Sequence, residues 1–293
     1  MISKDDFINL IKKEYENYED IIDGMSKRRK TTFRLNLNNT TKEEVDLYLK
    51  ENNIKYSNPS FYKDSYILED NIDLSETSLY KEGKIYLQSL SSQIPPLFLD
   101  LESSRDILDM CAAPGGKTCE IASLTKNTKS IMACEANKIR AEKLKYNLKS
   151  QNANANVLVC DSRKLDDFFR FDTILLDAPC SGSGTINLNS DKDLKYFSRE
   201  LVKNSAKTQF ELLKKALIIL KPGHTLVYST CSILKEENED VISKVLSENI
   251  RLEPITIDID KSNLLDSKFD GVITVKPSFL FEGFFIAKLK KLK

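Results

Sequence analysis

Apolar residues recur at helical spacing near the start of the chain (Phe7, Ile8, Leu10, Ile11, Tyr15), which predicts a helix from Asp5 to Tyr18. Thr32 to Leu37 then alternates as a strand does. Thr40 with Glu43 forms a capping-box pattern ahead of an amphipathic helix carrying Val45, Leu47 and Leu49. Short strands follow near Ile54 to Tyr56 and Tyr66 to Leu68. Together these predict a small α+β module ending around Tyr80, with the boundary placed at residue 82. Ile85 to Leu97 is too apolar for a flexible linker and reads as a docked connection.

From Arg105 the pattern changes to regular alternation. Strands are expected at 106–110, 129–134, 156–160, 171–176 and 224–230, and helices at 117–125, 138–150, 199–221 and 235–247. Alternation of this kind builds a doubly wound α/β domain over residues 83–293, with a mostly parallel sheet covered on both faces. Val272 to Val275 and Gly283 to Lys288 close it as a final pair of strands. No internal repeat or low-complexity segment interrupts the chain.

Composition narrows the class. A chain of 293 residues with 41% hydrophobic content can bury a full core, and no apolar run is long enough to span a membrane. The start lacks the apolar stretch of a signal peptide, so a cytoplasmic protein is expected. Lys+Arg and Asp+Glu balance at 44 each, so a polyanion would have to be met by a local patch such as Lys27-Arg28-Arg29-Lys30. Six cysteines occur without a CxxC pair, which argues against a zinc cluster, and no metal is expected. Cys111, Cys119, Cys134 and Cys160 read as packing residues. The single histidine, His224, starts a strand after Lys221-Pro222-Gly223 and reads as structural.

Chemistry concentrates at the strand ends, where open α/β sheets bind ligands. The strand ending Leu108-Asp109-Met110 runs into Cys111-Ala112-Ala113-Pro114-Gly115-Gly116-Lys117-Thr118. Two later strands run into Asp177-Ala178-Pro179-Cys180-Ser181-Gly182 and Ser229-Thr230-Cys231-Ser232. Three cofactors compete for the glycine turn. A nucleoside triphosphate loop would need a glycine where Cys111 stands, and a dinucleotide fingerprint needs GxGxxG where only Gly115-Gly116 is present. S-adenosylmethionine needs one close backbone approach and an acid at the end of the second strand. Glu135 supplies that acid 20 residues after Gly115 (135 − 115), and Asp161 at the third strand end would meet the adenine edge.

The thiols select the acceptor. C5 of a pyrimidine is a poor nucleophile, and a thiolate adding to C6 makes it an enamine carbon that attacks an electrophilic methyl group. An acid near N3 must stabilise the charge so created, and Asp177 is placed for this if protonated or sharing a proton. Either cysteine could be the attacking group on chemical grounds.

The glycine-loop stretch, the Asp177–Gly182 loop and Ser229-Thr230-Cys231-Ser232 resemble the Sun-domain family of RNA cytosine-C5 methyltransferases. So do Tyr86-Leu87-Gln88-Ser89-Leu90-Ser91-Ser92, Arg34-Leu35-Asn36 and Gly283-Phe284-Phe285, so that the resemblance covers roughly residues 30–290. It implies a class I, Rossmann-like methyltransferase fold using S-adenosylmethionine. It also implies Cys231 as nucleophile, Cys180 as the residue assisting release of methylated RNA, and Asp177 at the N3 edge with Lys117 beside it. The implied cofactor site comprises Cys111, Ala112, Ala113, Pro114, Gly115, Gly116, Lys117, Glu135, Arg140, Asp161 and Asp177. Arg34 is expected at backbone phosphate or simply on the surface, and Glu282 stands where the family often has Asp. RNA is the expected partner, ribosomal ahead of transfer RNA, bound by a monomer. The alternatives are transfer RNA as substrate and a ribosome-assembly factor that keeps the fold without catalysis.

Overall fold

The computed structural model describes residues 2–70 and 72–293. Two short helices, α1 (Lys4–Glu14) and α2 (Tyr18–Met25), replace the single expected helix. Tyr15 leaves helical geometry between them because its hydroxyl donates to the Ile233 carbonyl at 2.6 Å, a contact no local pattern encodes. Next come β1 (Thr32–Leu35), α3 (Lys42–Glu51), β2 (Tyr56–Ser57), β3 (Ser65–Leu68), α4 (Ser78–Lys81), β4 (Ile85–Leu87) and α5 (Leu90–Gln93). The α3 cap sits one residue later than the expected box: Thr41 accepts from the Glu44 amide, and Thr40 donates to the Glu44 carboxylate.

These strands form an antiparallel sheet in the order β2-β3-β1-β4. The sheet therefore takes in Ile85–Leu87, past the boundary expected at residue 82. The first helices pack elsewhere: Phe7, Ile11, Ile21 and Met25 share a core with Ile186, Phe197, Ile233 and Leu234. Residues 2–70 and 72–82 thus divide between the small sheet and a core shared with the segments that follow β8 and β9.

The larger domain follows as β5 (Asp106–Asp109), α6 (Gly116–Leu124), β6 (Ser130–Glu135), α7 (Lys138–Ser150), β7 (Asn156–Val159), β8 (Phe171–Asp177), α8 (Asp191–Lys195), α9 (Arg199–Ile219), β9 (Leu220–Thr230), α10 (Glu239–Ser243), β10 (Ile250–Glu253), β11 (Ile273–Val275) and β12 (Phe284–Lys291). Its sheet runs β10-β12-β9-β8-β5-β6-β7, with β11 beside β12. The five strands β9 to β7 are parallel, and β10, β11 and β12 add antiparallel partners, as expected for a doubly wound, mostly parallel sheet. Alternate residues serve opposite faces. Leu108, Ile174, Leu176 and Leu226 meet α9, while Ile107, Leu175 and Val227 meet Ile121 and Ala122 of α6.

The expected helix at 235–247 is the largest departure. Only a 3-10 turn at Lys235–Glu237 and the short α10 form. Glu237 and Asn238 turn inward to bond the strand-end loops, and the backbone of Asn238 (φ −116°, ψ −96°) interrupts the helix.

Candidate active site

The parallel register of β8 and β9 pairs Asp177 with Ser229, so the two cysteine loops emerge side by side. Cys180 Sγ and Cys231 Sγ lie 2.9 Å apart, as free thiols in hydrogen-bond contact. The bond to Cys231 and burial both push the Cys180 thiol well up. A third segment closes over the pair: Gly283 donates to the Gly184 carbonyl at 2.8 Å, and a Cβ on Gly184 would come within 2.1 Å of the Gly283 oxygen. That approach needs glycine, and it sets Glu282 and Phe284 beside the thiols.

Lys117, in the first turn of α6, donates to Asp177 Oδ2 and to Ser92 Oγ, each at 2.8 Å. Ser229 Oγ donates to the other Asp177 oxygen at 2.8 Å. Both oxygens of Asp177 are thus held, one by Lys117 and the other by Ser229. Burial pulls the Lys117 ammonium down, yet the Asp177 charge outweighs it and the net shift is upward, so Lys117 stays charged. Its ammonium lies 5.2 Å from the centre of the Phe284 ring.

The glycine turn depends on Gly115, whose φ of 112° suits a residue without Cβ and lets α6 start at Gly116. Glu135 ends β6 buried, accepting from the Asn137 amide at 2.8 Å with Arg140 at 3.6 Å. Arg140 also donates to the Ala113 carbonyl at 2.8 Å. Asp161, beyond β7, is gripped through both oxygens by Arg163, which lowers its pKa and uses part of its acceptor capacity.

Two cavities meet here. One of about 540 Å³ is lined by Cys111, Ala113, Glu135, Arg140, Asp161, Asp177, Cys180 and Cys231 among others. The second, of about 350 Å³, is lined by Gln88, Ser92, Cys111 to Pro114, Gly116, Lys117, Asp177, Cys231, Glu282 and Phe284 among others. They share Cys111, Ala113, Asp177 and Cys231. The expected cofactor residues therefore separate: Glu135, Arg140 and Asp161 face the first cavity, while Ala112, Pro114, Gly116 and Lys117 face the second. Gly115 lines neither and acts through its backbone.

Arg34 corrects the expectation of a phosphate contact or an ordinary surface position. It is fully buried, donating to Gln88 Oε1 at 2.9 Å and to the Gly116 carbonyl at 2.8 Å, with Glu120 at 3.6 Å. It locks the small sheet onto the start of α6. The basic run also divides: Lys27 and Arg28 are exposed, whereas Arg29 turns in to donate to the Thr185 carbonyl at 3.2 Å. His224, at the far end of β9, sits 3.9 Å from Asp172, away from the thiols.

Three residues escaped the sequence reading. Asp109, pushed up to about 6 by burial, accepts from Thr118 on the floor of the second cavity. Its position at a strand end, before the glycine turn, was the available signal. Ser92, the last residue of the Tyr86–Ser92 stretch, holds Lys117, and Glu237, which lies in no motif, binds both cysteine loops.

A family described as 16S rRNA methyltransferase RsmB/F matches residues 96–290. The chain is 33% identical over 254 residues to a probable ribosomal RNA small subunit methyltransferase B of Coxiella burnetii, covering 84% of this chain and 59% of that protein. The crystal structure of a methyltransferase homolog protein from Pyrococcus horikoshii matches with a TM-score of 0.79 at 31% identity, over 94% of this chain and 91% of that one. NSun6 from the same organism, solved with SFG, is 23% identical with a TM-score of 0.83, over 99% of this chain and 97% of that one, and shares the fold. The doubly wound sheet is thus the class I, Rossmann-like methyltransferase fold.

Proposed function

The chain belongs to the 16S rRNA methyltransferase RsmB/F family, and from that premise we propose that it methylates C5 of a cytosine in ribosomal RNA through a covalent adduct with Cys231. The observation that carries this reading is the junction of two cavities at Cys231 and Asp177, with Cys180 2.9 Å from the Cys231 sulfur. A transfer between two bound molecules needs two chambers with the reactive groups where they meet.

The larger chamber fits S-adenosylmethionine. Its volume lies within the roughly 300–1,000 Å³ of small-molecule sites. Its donor set suits a nucleoside with an amino-acid tail: the buried Glu135 carboxylate for the ribose hydroxyls, and Asp161 for the adenine edge. Bound there, S-adenosylmethionine supplies an electrophilic methyl group.

The smaller chamber receives the base. The Cys231 sulfur, held against Cys180, loses its proton to solvent, adds to C6 and places electron density on C5. Addition leaves negative charge at N3, which takes a proton relayed from the charged Lys117 ammonium through Asp177. Once C5 is methylated, its proton must leave before the C6–S bond breaks, and Cys180 serves that release stage beside the departing sulfur. Glu282 and Phe284 line this chamber with Lys117 and Cys231.

The test is methylation by the purified protein of 16S rRNA, assembled small subunits and transfer RNA, read by bisulfite sequencing. A single new 5-methylcytosine in 16S rRNA is expected. A mark on transfer RNA would move the substrate, and a mark on another atom would overturn the chemistry.

A further inference from the structure

Glu237 is fully buried and lies outside the reaction assigned above. Its surroundings are unusual for a packing residue. Oε1 accepts from the Ser181 amide at 2.7 Å, and Oε2 accepts from Ser181 Oγ and Ser232 Oγ, each at 2.6 Å. Ser181 follows Cys180 and Ser232 follows Cys231. One carboxylate therefore bridges the two cysteine loops at the residue directly after each thiol. The bridge is itself anchored: Tyr228 donates to the Glu237 carbonyl at 2.6 Å, and Gln209 of α9 donates to the Pro179 carbonyl at 2.9 Å, just before Cys180.

The energetic case is direct. A buried carboxylate is costly to desolvate unless hydrogen-bonded, and charge-assisted bonds are the strong ones. A saturated acceptor of this kind fixes the groups that satisfy it. The two loops come from different strands and are also joined by Ser183 Oγ with Ser232 Oγ at 2.8 Å, the Ile233 amide to Ser183 Oγ at 3.0 Å and the Gly184 amide to the Cys231 carbonyl at 3.0 Å. Among the described residues, only Glu237 ties Ser181, next to Cys180, to the Cys231 loop. Without the bridge, the residue after Cys180 would lose its bonds to the carboxylate that ties it to the Cys231 loop.

We propose that Glu237 is the positioning residue of the two-thiol centre, clamping the Cys180 loop to the Cys231 loop through Ser181 and Ser232 and so fixing the sulfurs in contact. Its role in turnover rests on the cytosine reaction proposed above; its effect on thiol geometry does not. Removing the clamp lets Cys180 drift from the sulfur it must serve, and a displacement of about 1 Å in a reacting group can lower rate on the order of a hundredfold.

Two measurements on the full chain separate these parts. The first is the rate at which diamide oxidises Cys180 and Cys231 to a disulfide, followed by mass spectrometry. The two thiols give up two electrons and two protons, and diamide takes them to become the hydrazine. Glu237→Ala should slow closure roughly ten- to hundredfold, and Glu237→Gln, which keeps acceptor and size, should restore most of it. The second is steady-state methylation, where Glu237→Ala should lower kcat while leaving KM for S-adenosylmethionine unchanged. If Glu237→Ala does not fold, the Ser181→Ala, Ser232→Ala double variant carries both measurements with the same expectation. Slowed closure with a wild-type chain that methylates no cytosine would sink the reaction and keep the clamp. Closure and kcat both unchanged, or kcat and cofactor KM lost together with unchanged closure, would overturn the clamp.

Discussion

Arg34→Met probes the joint between the small sheet and the catalytic domain, where the sequence suggested a phosphate contact. Methionine keeps the apolar length of the side chain and removes its donors. Lost are the bonds to Gln88 Oε1 (2.9 Å), the Gly116 carbonyl (2.8 Å) and the Leu35 carbonyl (3.3 Å), together with the charge 3.6 Å from Glu120. Hydrogen bonds to a charged group are worth about 1.5–3 kcal/mol each, but the arginine's own desolvation offsets part of that sum. Above pH about 8, where Glu120 is ionised, removing its partner leaves a buried charge and typically costs about 3–5 kcal/mol, and that is the loss expected in urea unfolding at such pH. Glu120→Gln in the same background should give a non-additive total, with a coupling of about 0.5–3 kcal/mol. The salt dependence of RNA binding should stay the same, because no phosphate contact is lost. A loss below about 1 kcal/mol with a flatter salt slope would refute the reasoning and return Arg34 to the RNA.

Glu135→Ala should weaken S-adenosylmethionine by about 1.5–3 kcal/mol in calorimetry while RNA affinity holds, since its carboxylate faces the larger chamber alone. Cys180→Ala should methylate once and then accumulate an RNA-linked protein on denaturing gels, an adduct absent when Cys231→Ala is added. Burial pushes Glu120 up to about 8 from an ordinary 4.5, so the folded state holds a proton that the unfolded state has lost. That contribution is complete below 4.5 and fades as pH rises through about 8, so Glu120→Gln should flatten the decline in urea midpoint across this window.

The catalytic frame was legible because central parallel strands announce themselves. Phe171 to Leu176 and Leu226 to Tyr228 are continuous apolar runs, and whatever follows such a strand lies at the ligand-binding edge. That logic alone placed Asp177, Cys180, Cys231 and Glu135. It did not reach residues whose role depends on a distant partner. Arg34 lies in a segment that alternates like a half-exposed strand, yet β3 and β4 pair with both edges of β1, Phe33 and Leu35 pack with Val45 and Leu49 of α3, Arg34 meets α6, and all four residues of β1 are buried. Glu237 sits in a run with helical periodicity, and the gain from bonding Ser181 and Ser232 outweighed one further helical turn. Tyr15 broke the first helix for a carbonyl 218 positions away. Local pattern reports burial of a face, but not which polar group will cross to meet it.

The most direct test of the central claim is to incubate the protein with S-adenosylmethionine and RNA in which 5-fluorocytosine replaces cytosine. Fluorine at C5 cannot leave as a proton does, so the covalent species is held and the attached peptide can be sequenced by mass spectrometry. The account expects the nucleotide on Cys231, with no adduct from Cys231→Ala and a normal one from Cys180→Ala. A nucleotide on Cys180, or no adduct from a protein that methylates ordinary RNA, would contradict it.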